Sequence, residues 1–309
     1  MSSSTSDLRR DGVVVKGLGG LYEVVLDDGA RVSSRARGSL HRDERQKLLI
    51  GDRVTVLESV GAEPVIERIH ARRCELIRPP MANLDAIYAV IAAARPVPAL
   101  ETLDKLLAIA EHNGIRAALV ITKHDFDPAA AEEYAAIYRK VGIPVFTVSS
   151  ESGEGTEPLL ADVTRELGRG RIAAFAGASG VGKSTLLNRL FPTFRLATGE
   201  ISRRIERGKH TTRHVELFKM EAGGFLADTP GFSLLDFAHF DFFELDDLFD
   251  AFREFSPYRG SCRYADCTHT GEGARECAIA RAVADGVIPE SRHESYRSIY
   301  RTLKEKSRY

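Results

Sequence analysis

From Gly12 to about Arg72 the apolar residues come in short runs broken by turn residues: GVVVKG, then YEVVLDDG with Asp28-Gly29 as a hairpin signal, then GDRVTVLE behind Gly51-Asp52. Short strands between tight turns predict a small β-barrel over residues 1–72. The period then changes. LDAIYAVIAAA reads as a buried strand, LETLDKLLAIAEHNG as a helix closed by Gly114, and RAALVITKHD as a second buried strand. PAAAEEYAAIYRKVG is a helix opening at Pro128 and ending near Gly142, followed by strand PVFTVSS, helix TEPLLADVTREL, strand RIAAFAG, helix GKSTLLNRLF, and strands HVELFKM and GFLAD. Apolar strands alternating with helices predict a parallel sheet covered on both faces by helices, an α/β domain over residues 73–235. A Phe-rich acidic stretch, LLDFAHFDFFELDDLFDAFREF, begins at Leu234, and residues 236–309 continue it through a cysteine cluster to a basic helical tail, which predicts a small helical module with a phenylalanine core.

Composition narrows the classes. With 43% hydrophobic and 28% charged residues in 309, the chain is globular and has room for two or three domains. Its 43 Lys plus Arg nearly cancel 44 Asp plus Glu, so a nucleic-acid surface has to come from local charge segregation. One segment shows it. In RVSSRARGSLHRDERQK, Arg31, Arg35, Arg37, Arg42, Arg45 and Lys47 oppose only Asp43 and Glu44, which suits either a solvated loop or an RNA contact. The longest apolar run, Ala86 to Ala94, is about half of the roughly 18 to 20 residues that span a bilayer, so no transmembrane segment is expected. The opening MSSSTSDLRRDG has no secretory apolar stretch, and a cytoplasmic location is expected. Cys262, Cys267 and Cys277 cluster while Cys74 stands alone, a distribution that suits a metal site in a reducing compartment better than a disulfide framework. Cys74 reads as a small buried hydrophobe.

The strongest chemical signal is GASGVGKS, Gly177 to Ser184, placed between a strand pattern and a helix pattern. Phosphate needs many donors at close range. Gly177, Gly180 and Gly182 let the backbone through Ala178, Ser179 and Val181 wrap around phosphates, and the helix N-terminus adds its dipole. Lys183 is expected on the β- and γ-phosphates, Ser184 on Mg²⁺, and Thr185 at the end of the phosphate-binding run. DTPG, Asp228 to Gly231, follows the strand GFLA and puts a carboxylate at the ligand-binding end of a sheet, where Asp228 would hold Mg²⁺ through water and the Gly231 N–H would sense the γ-phosphate.

TKHD, comprising Thr122, Lys123, His124 and Asp125, ends another strand, and there the Asp125 carboxylate can accept from guanine N1 and its exocyclic amine. Adenine offers no such pair of donors. Lys123 is expected along the base, and Ser149 and Ser150 end the next strand, where a backbone N–H can meet the guanine carbonyl. Between the phosphate loop and DTPG lies GKHTTRH, where Thr211 or Thr212 is expected to supply a Mg²⁺ hydroxyl in a loop that closes on the γ-phosphate. Phe232 follows DTPG at the place where many signalling GTPases carry a water-orienting glutamine, and a phenyl ring cannot hydrogen-bond water. His210 is the candidate replacement, an inert loop histidine the alternative. Finally, Cys262, Cys267, His269 and Cys277 form C-x₄-C-x-H-x₇-C, a donor set for a closed structural Zn²⁺ site.

In ordinary GTPases the phosphate loop precedes the base-reading motif. Here TKHD and the serine loop come first, a circular permutation. With a barrel before it and a Cys₃His stretch after it, the arrangement resembles the RsgA (YjeQ) family of small-subunit-dependent GTPases, as do CELIRPPMANLDAI, the switch His-Thr-Thr, DTPGF and CTH. The resemblance implies an OB-fold barrel that binds ribosomal RNA, a GTPase centre stimulated by the small (30S) ribosomal subunit and its 16S rRNA, a structural zinc, and a role in late small-subunit maturation. It also implies GTP or GDP with Mg²⁺ as ligands of a protein expected to be a monomer. Two positions depart from the pattern: the final zinc spacing, TGEGARE, is longer, and Arg213 stands where a third threonine is common. An alternative is an RNA-binding module that uses the nucleotide as a switch with little catalysis; an ATP-dependent enzyme is disfavoured by TKHD.

Overall fold

The computed structural model describes residues 7–38, 47–77, 79–192, 215–227 and 244–306. These fall into two compact units. One holds the described residues of Met1–Asp85, Arg165–Ala174 and Thr212–Gly231; the other holds those of Ala86–Thr164, Phe175–Thr211 and Phe232–Tyr309.

The first unit carries a closed barrel of β1 (Leu8–Leu18), β2 (Leu21–Leu26), β3 (Arg31–Ala36), β4 (Arg53–Glu58) and β5 (Val65–Ile69), in the order β1-β2-β3-β5-β4. Val14, Val24, Leu26, Val54, Val56 and Ile66 fill it. The Asp28-Gly29 signal does mark the β2–β3 hairpin, with the Asp28 carboxylate accepting from the Ala30 N–H at 2.9 Å. The stretch expected to be a charged connection, however, begins with β3. Its alternation is carried by Val32 and a buried Ser34, while Arg31 and Arg35 lie on the outer face, so the hydrophobic pattern of the strand is hidden by polar residues. The arginines of that run that are described each face a carboxylate: Arg31 with Glu23, Arg37 with Glu67 at 3.0 Å, and Arg35 with Glu63 at 4.0 Å. Arg42 and Arg45 lie outside the described residues.

A short ribbon of β6 (Glu75–Leu76) and β7 (Met81–Ala82) leads into β8 (Leu84–Ala92). Then follow α1 (Leu100–His112), β9 (Arg116–Thr122), α2 (Pro128–Lys140), β10 (Val145–Val148), α3 (Thr156–Leu167), β11 (Ile172–Gly177), α4 (Lys183–Leu190), β12 (Leu217–Lys219) and β13 (Phe225–Ala227). The sheet order is β10-β9-β8-β11-β13-β12. Continuous apolar runs in β8, β9 and β11 are buried, as a sheet covered on both faces demands. The parallel expectation fails at one edge, because β12 runs antiparallel to β13 through a tight turn in which the Met220 N–H meets the Gly224 carbonyl at 2.9 Å. Cys74 is half-buried and not fully so; its thiol donates to the Leu84 carbonyl at 3.3 Å.

In the second unit, α5 (Leu248–Ala251), α6 (Ala278–Ala284) and α7 (Glu290–Lys306) form the helical module. The expected phenylalanine core is present among the described residues, with Phe252 and Phe255 fully buried and both rings against Tyr296 of α7. No described helix is long and apolar enough to cross a membrane.

A buried ion network ties α7 to α1. Arg292 is 2% exposed; it grips Glu254 through Nε (2.7 Å) and Nη2 (3.2 Å) and Asp104 through Nη1 (2.7 Å), and its guanidinium lies 4.5 Å from the centre of the Phe252 ring. Tyr138 donates to the same Asp104 oxygen at 2.9 Å. Burial opposes the Arg292 charge, yet Asp104 and Glu254 outweigh it and hold its pKa above the ordinary value. Removing the cation strands two carboxylates. Arg292→Met is therefore expected to lower unfolding stability by about 3 to 5 kcal/mol, whereas exchanging Arg292, Asp104 and Glu254 together for apolar residues recovers most of the loss. Urea unfolding of the two variants checks both halves.

Candidate nucleotide site and metal centre

The phosphate loop begins where β11 runs out. A Cβ on Gly177 would sit 2.5 Å from the Val90 carbonyl oxygen, so only glycine lets the loop leave the sheet there. Gly180 (φ +80°) and Gly182 (φ +93°) take left-handed conformations that turn the chain into α4. Ala178 is half-buried, Ser179 exposed, and Val181 buried beneath the loop at 3% exposure. Lys183 folds back over it, its Nζ donating to the carbonyls of Gly177 (2.8 Å) and Ala178 (3.4 Å). Burial pushes the Lys183 pKa below its ordinary value and no carboxylate offsets that, which leaves an under-compensated cation over the loop. Ser184 and Thr185 are exposed in the first turn of α4.

The TKHD segment is stitched to this loop. Thr122 is 1% exposed, and its Oγ1 lies in hydrogen-bond reach of the carbonyls of Ile91 (3.0 Å) and Val181. Lys123, at φ +57°, donates from Nζ to the Arg95 carbonyl (2.6 Å) and the Gly180 carbonyl (2.8 Å). Asp125 is exposed. His124 turns aside, its Nε2 3.6 Å from a Glu154 carboxylate oxygen. Ser149 is buried, and its N–H is taken by the Glu154 carbonyl at 3.0 Å while its hydroxyl accepts from the Ser152 N–H at 3.2 Å. Ser150 Oγ is buried without a partner.

Thr122, Lys123, Asp125, Ser149, Ser150, Gly182 and Thr185 line one cavity of about 610 Å³ together with Ala94, Arg95, Phe126 and Glu151. That is within the roughly 300 to 1,000 Å³ of small-ligand sites. Sequence reading missed the last four. Arg95 and Ala94 belong to the loop after β8, which carries no motif, and Phe126 follows TKHD directly, the one signal available. His210, Thr211, Thr212, Asp228 and Gly231 lie outside the described residues.

The cysteine cluster converges. The sulfurs of Cys262, Cys267 and Cys277 and Nδ1 of His269 all lie within 4.8 Å of one another. From Nδ1 the sulfurs of Cys262, Cys267 and Cys277 are 3.5, 3.4 and 3.4 Å away, and the Cys262 and Cys277 sulfurs are 3.9 Å apart. A tetrahedral Zn²⁺ sets edges of about 3.5 Å (N to S) and 3.8 Å (S to S), which the three N–S distances and the Cys262–Cys277 separation match. Backbone N–H groups of Ala278 (3.3 Å) and Ala280 (3.4 Å) point at the sulfurs of Cys262 and Cys277, which favours thiolates. The long TGEGARE spacer is closed by Glu272, whose carboxylate accepts from the N–H groups of Thr268 (3.0 Å), Thr270 (3.0 Å) and Gly271 (3.2 Å). Burial alone would raise its pKa, but these bonds win and hold it at about 2.

Comparison with known proteins agrees with this geometry. Residues 69–238 match the RsgA GTPase family and residues 11–65 the RsgA N-terminal domain. The chain belongs to the RsgA GTPase family. Relatives named small ribosomal subunit biogenesis GTPase RsgA include one from Alkaliphilus metalliredigens, 38% identical over 96% of this chain and 99% of its own. Another, from Geobacillus kaustophilus, is 40% identical over 97% and 99%. Among solved structures, YjeQ from Thermotoga maritima superposes with a TM-score of 0.77 at 31% identity, covering 96% of this chain and 99% of its own. YloQ, described as a circularly permuted GTPase, gives 0.75 at 32% identity, covering 97% and 96%. As a member of the RsgA family the chain is a GTP hydrolase with a permuted GTPase domain preceded by a barrel.

Proposed function

We propose that this RsgA-family GTPase works on the small ribosomal subunit, contacting its 16S rRNA during late maturation and using GTP hydrolysis to time its release. The observation that carries the nucleotide assignment is the cavity shared by TKHD and the phosphate loop, with Thr122 and Lys123 bonded across to Val181 and Gly180. The small-subunit assignment is supported by the names of its relatives. In this reading Gly177 to Thr185 hold the phosphates, Asp125 reads guanine, and Lys123 walls the base. Because the Ser149 N–H is already bonded, Ser150 is left to donate to the guanine carbonyl. Mg²⁺ would be held by Ser184, by Thr211 or Thr212, and through water by Asp228, with Gly231 sensing the γ-phosphate. The parts follow the sequence division 1–72, 73–235 and 236–309, in a cytoplasmic monomer carrying one structural Zn²⁺ on Cys262, Cys267, His269 and Cys277. Co-sedimentation with small subunits in GDP and in a non-hydrolysable GTP analogue tests the partner: equal or absent pelleting in both would reject it.

Phe232 removes the usual water-orienting amide, so intrinsic hydrolysis is expected to be slow and subunit binding to accelerate it by ordering the switch. His210 would then position the attacking water by hydrogen bonding. His210→Ala is expected to keep GTP and subunit binding and to lose on the order of 10²-fold of the stimulated rate. Phosphate release at the parental rate in that variant would exclude His210.

A further inference from the structure

Phe126 has no place in the reading above, yet the residue lines the cavity and is 68% exposed. Large apolar side chains left open beside a binding site are surfaces waiting to be covered. The backbone fixes its position relative to the base reader. The Phe126 N–H donates to the Lys123 carbonyl at 3.1 Å, closing a tight turn with Asp125 inside it. Such a turn holds its end Cα atoms within about 7 Å. A planar base touched on both faces needs roughly that spacing, two contacts of about 3.5 Å each. One wall is already assigned. The Lys123 Nζ is anchored on the Arg95 and Gly180 carbonyls, which also places the Arg95 backbone on the Lys123 side. The opposite wall falls to Phe126, since the other cavity residues near the serine loop, Ser149, Ser150 and Glu151, present polar groups.

We infer that the Phe126 ring stacks on the guanine face opposite the Lys123 stem and sets nucleotide affinity without setting base choice. Stacking tolerates any base because every base has a π-face, whereas the Asp125 carboxylate reads the edge. This rests on Asp125 being the guanine reader, so the two assignments are tested separately.

Phe126→Ala is expected to weaken GDP and inosine diphosphate alike, by about tenfold or more, with their affinity ratio unchanged. Phe126→Tyr and Phe126→Trp should keep parental affinity. Because the chain contains no tryptophan, Phe126→Trp also installs a single reporter. Its emission should change saturably on adding GDP and stay constant on adding inorganic pyrophosphate with Mg²⁺. Parental affinity in Phe126→Ala, a changed GDP to inosine diphosphate ratio, or a silent tryptophan while calorimetry registers bound GDP would each overturn the inference. If Phe126→Ala does not fold, the tryptophan variant carries the test. Should Asp125→Asn leave guanine preference untouched in a protein that binds GDP, the base-reader assignment fails instead.

Discussion

Asp125→Asn is expected to abolish the preference for guanine and to make xanthosine triphosphate the better ligand. A carboxylate accepts from both guanine N1–H and the exocyclic amine; an amide offers one acceptor and one donor, so its NH₂ would face the guanine amine. Xanthine carries a carbonyl at that position and meets the amide with matched polarity. A buried polar pair left mismatched loses about 10⁴-fold in discrimination, which sets the scale of the switch. The fold should not notice. Asp125 is exposed and makes no hydrogen bond among those described, so thermal unfolding of the variant should match the parent. Competition of guanosine and xanthosine triphosphates against labelled GDP gives the answer, and unchanged guanine selectivity would reject TKHD as the base reader.

Legibility from sequence tracked how directly a residue's type dictates its neighbours. Strands β8, β9 and β11 were plain because a doubly covered sheet requires unbroken apolar runs. Helix α2 announced itself by Pro128 in its first turn, and the structure adds Asp127, whose carboxylate caps it by accepting from the Ala130 N–H (3.0 Å). Strand β3 was not legible, since its inward positions are held by Val32 and Ser34 amid arginines, and β5 is a five-residue strand paired with a distant partner. The direction of β12 was hidden for a different reason: an apolar edge strand reads the same whether it runs parallel or antiparallel. At the site, the placement of GASGVGKS and TKHD at the ends of β11 and β9 was legible because each motif is local. The loss of the Ser149 N–H to Glu154 was not, because it depends on how residues 149–154 fold back on themselves.

Removing the metal is the change expected to cost the helical module most. The segment from Ser261 to Cys277 contains almost no regular structure; the four convergent donors and the Glu272 carboxylate are what draw it together. Burial pushes the Cys267 and Cys277 thiols up and the His269 imidazole down, so without an ion the thiols are protonated and the imidazole is neutral. A bound Zn²⁺ would displace those protons, and binding is therefore expected to release protons and to weaken as pH falls. One Zn²⁺ per chain should accompany the purified protein and be lost on Cys267→Ser. Chelation should then raise hydrogen exchange across residues 256–290. The disruption should stop at the aromatic core, where Phe252, Phe255 and Tyr296 pack on one another and Arg292 is locked to Asp104 and Glu254. Glu272 adds a second, independent acid sensitivity. Its pKa of about 2 lies below the ordinary carboxylate value, so its closure of the spacer is complete above that ordinary value and is lost as pH drops toward 2. Elemental analysis that finds no metal in protein purified without chelator would reject the zinc assignment, whereas metal present with exchange unchanged on chelation would leave the ion bound but deny it the work of holding the module.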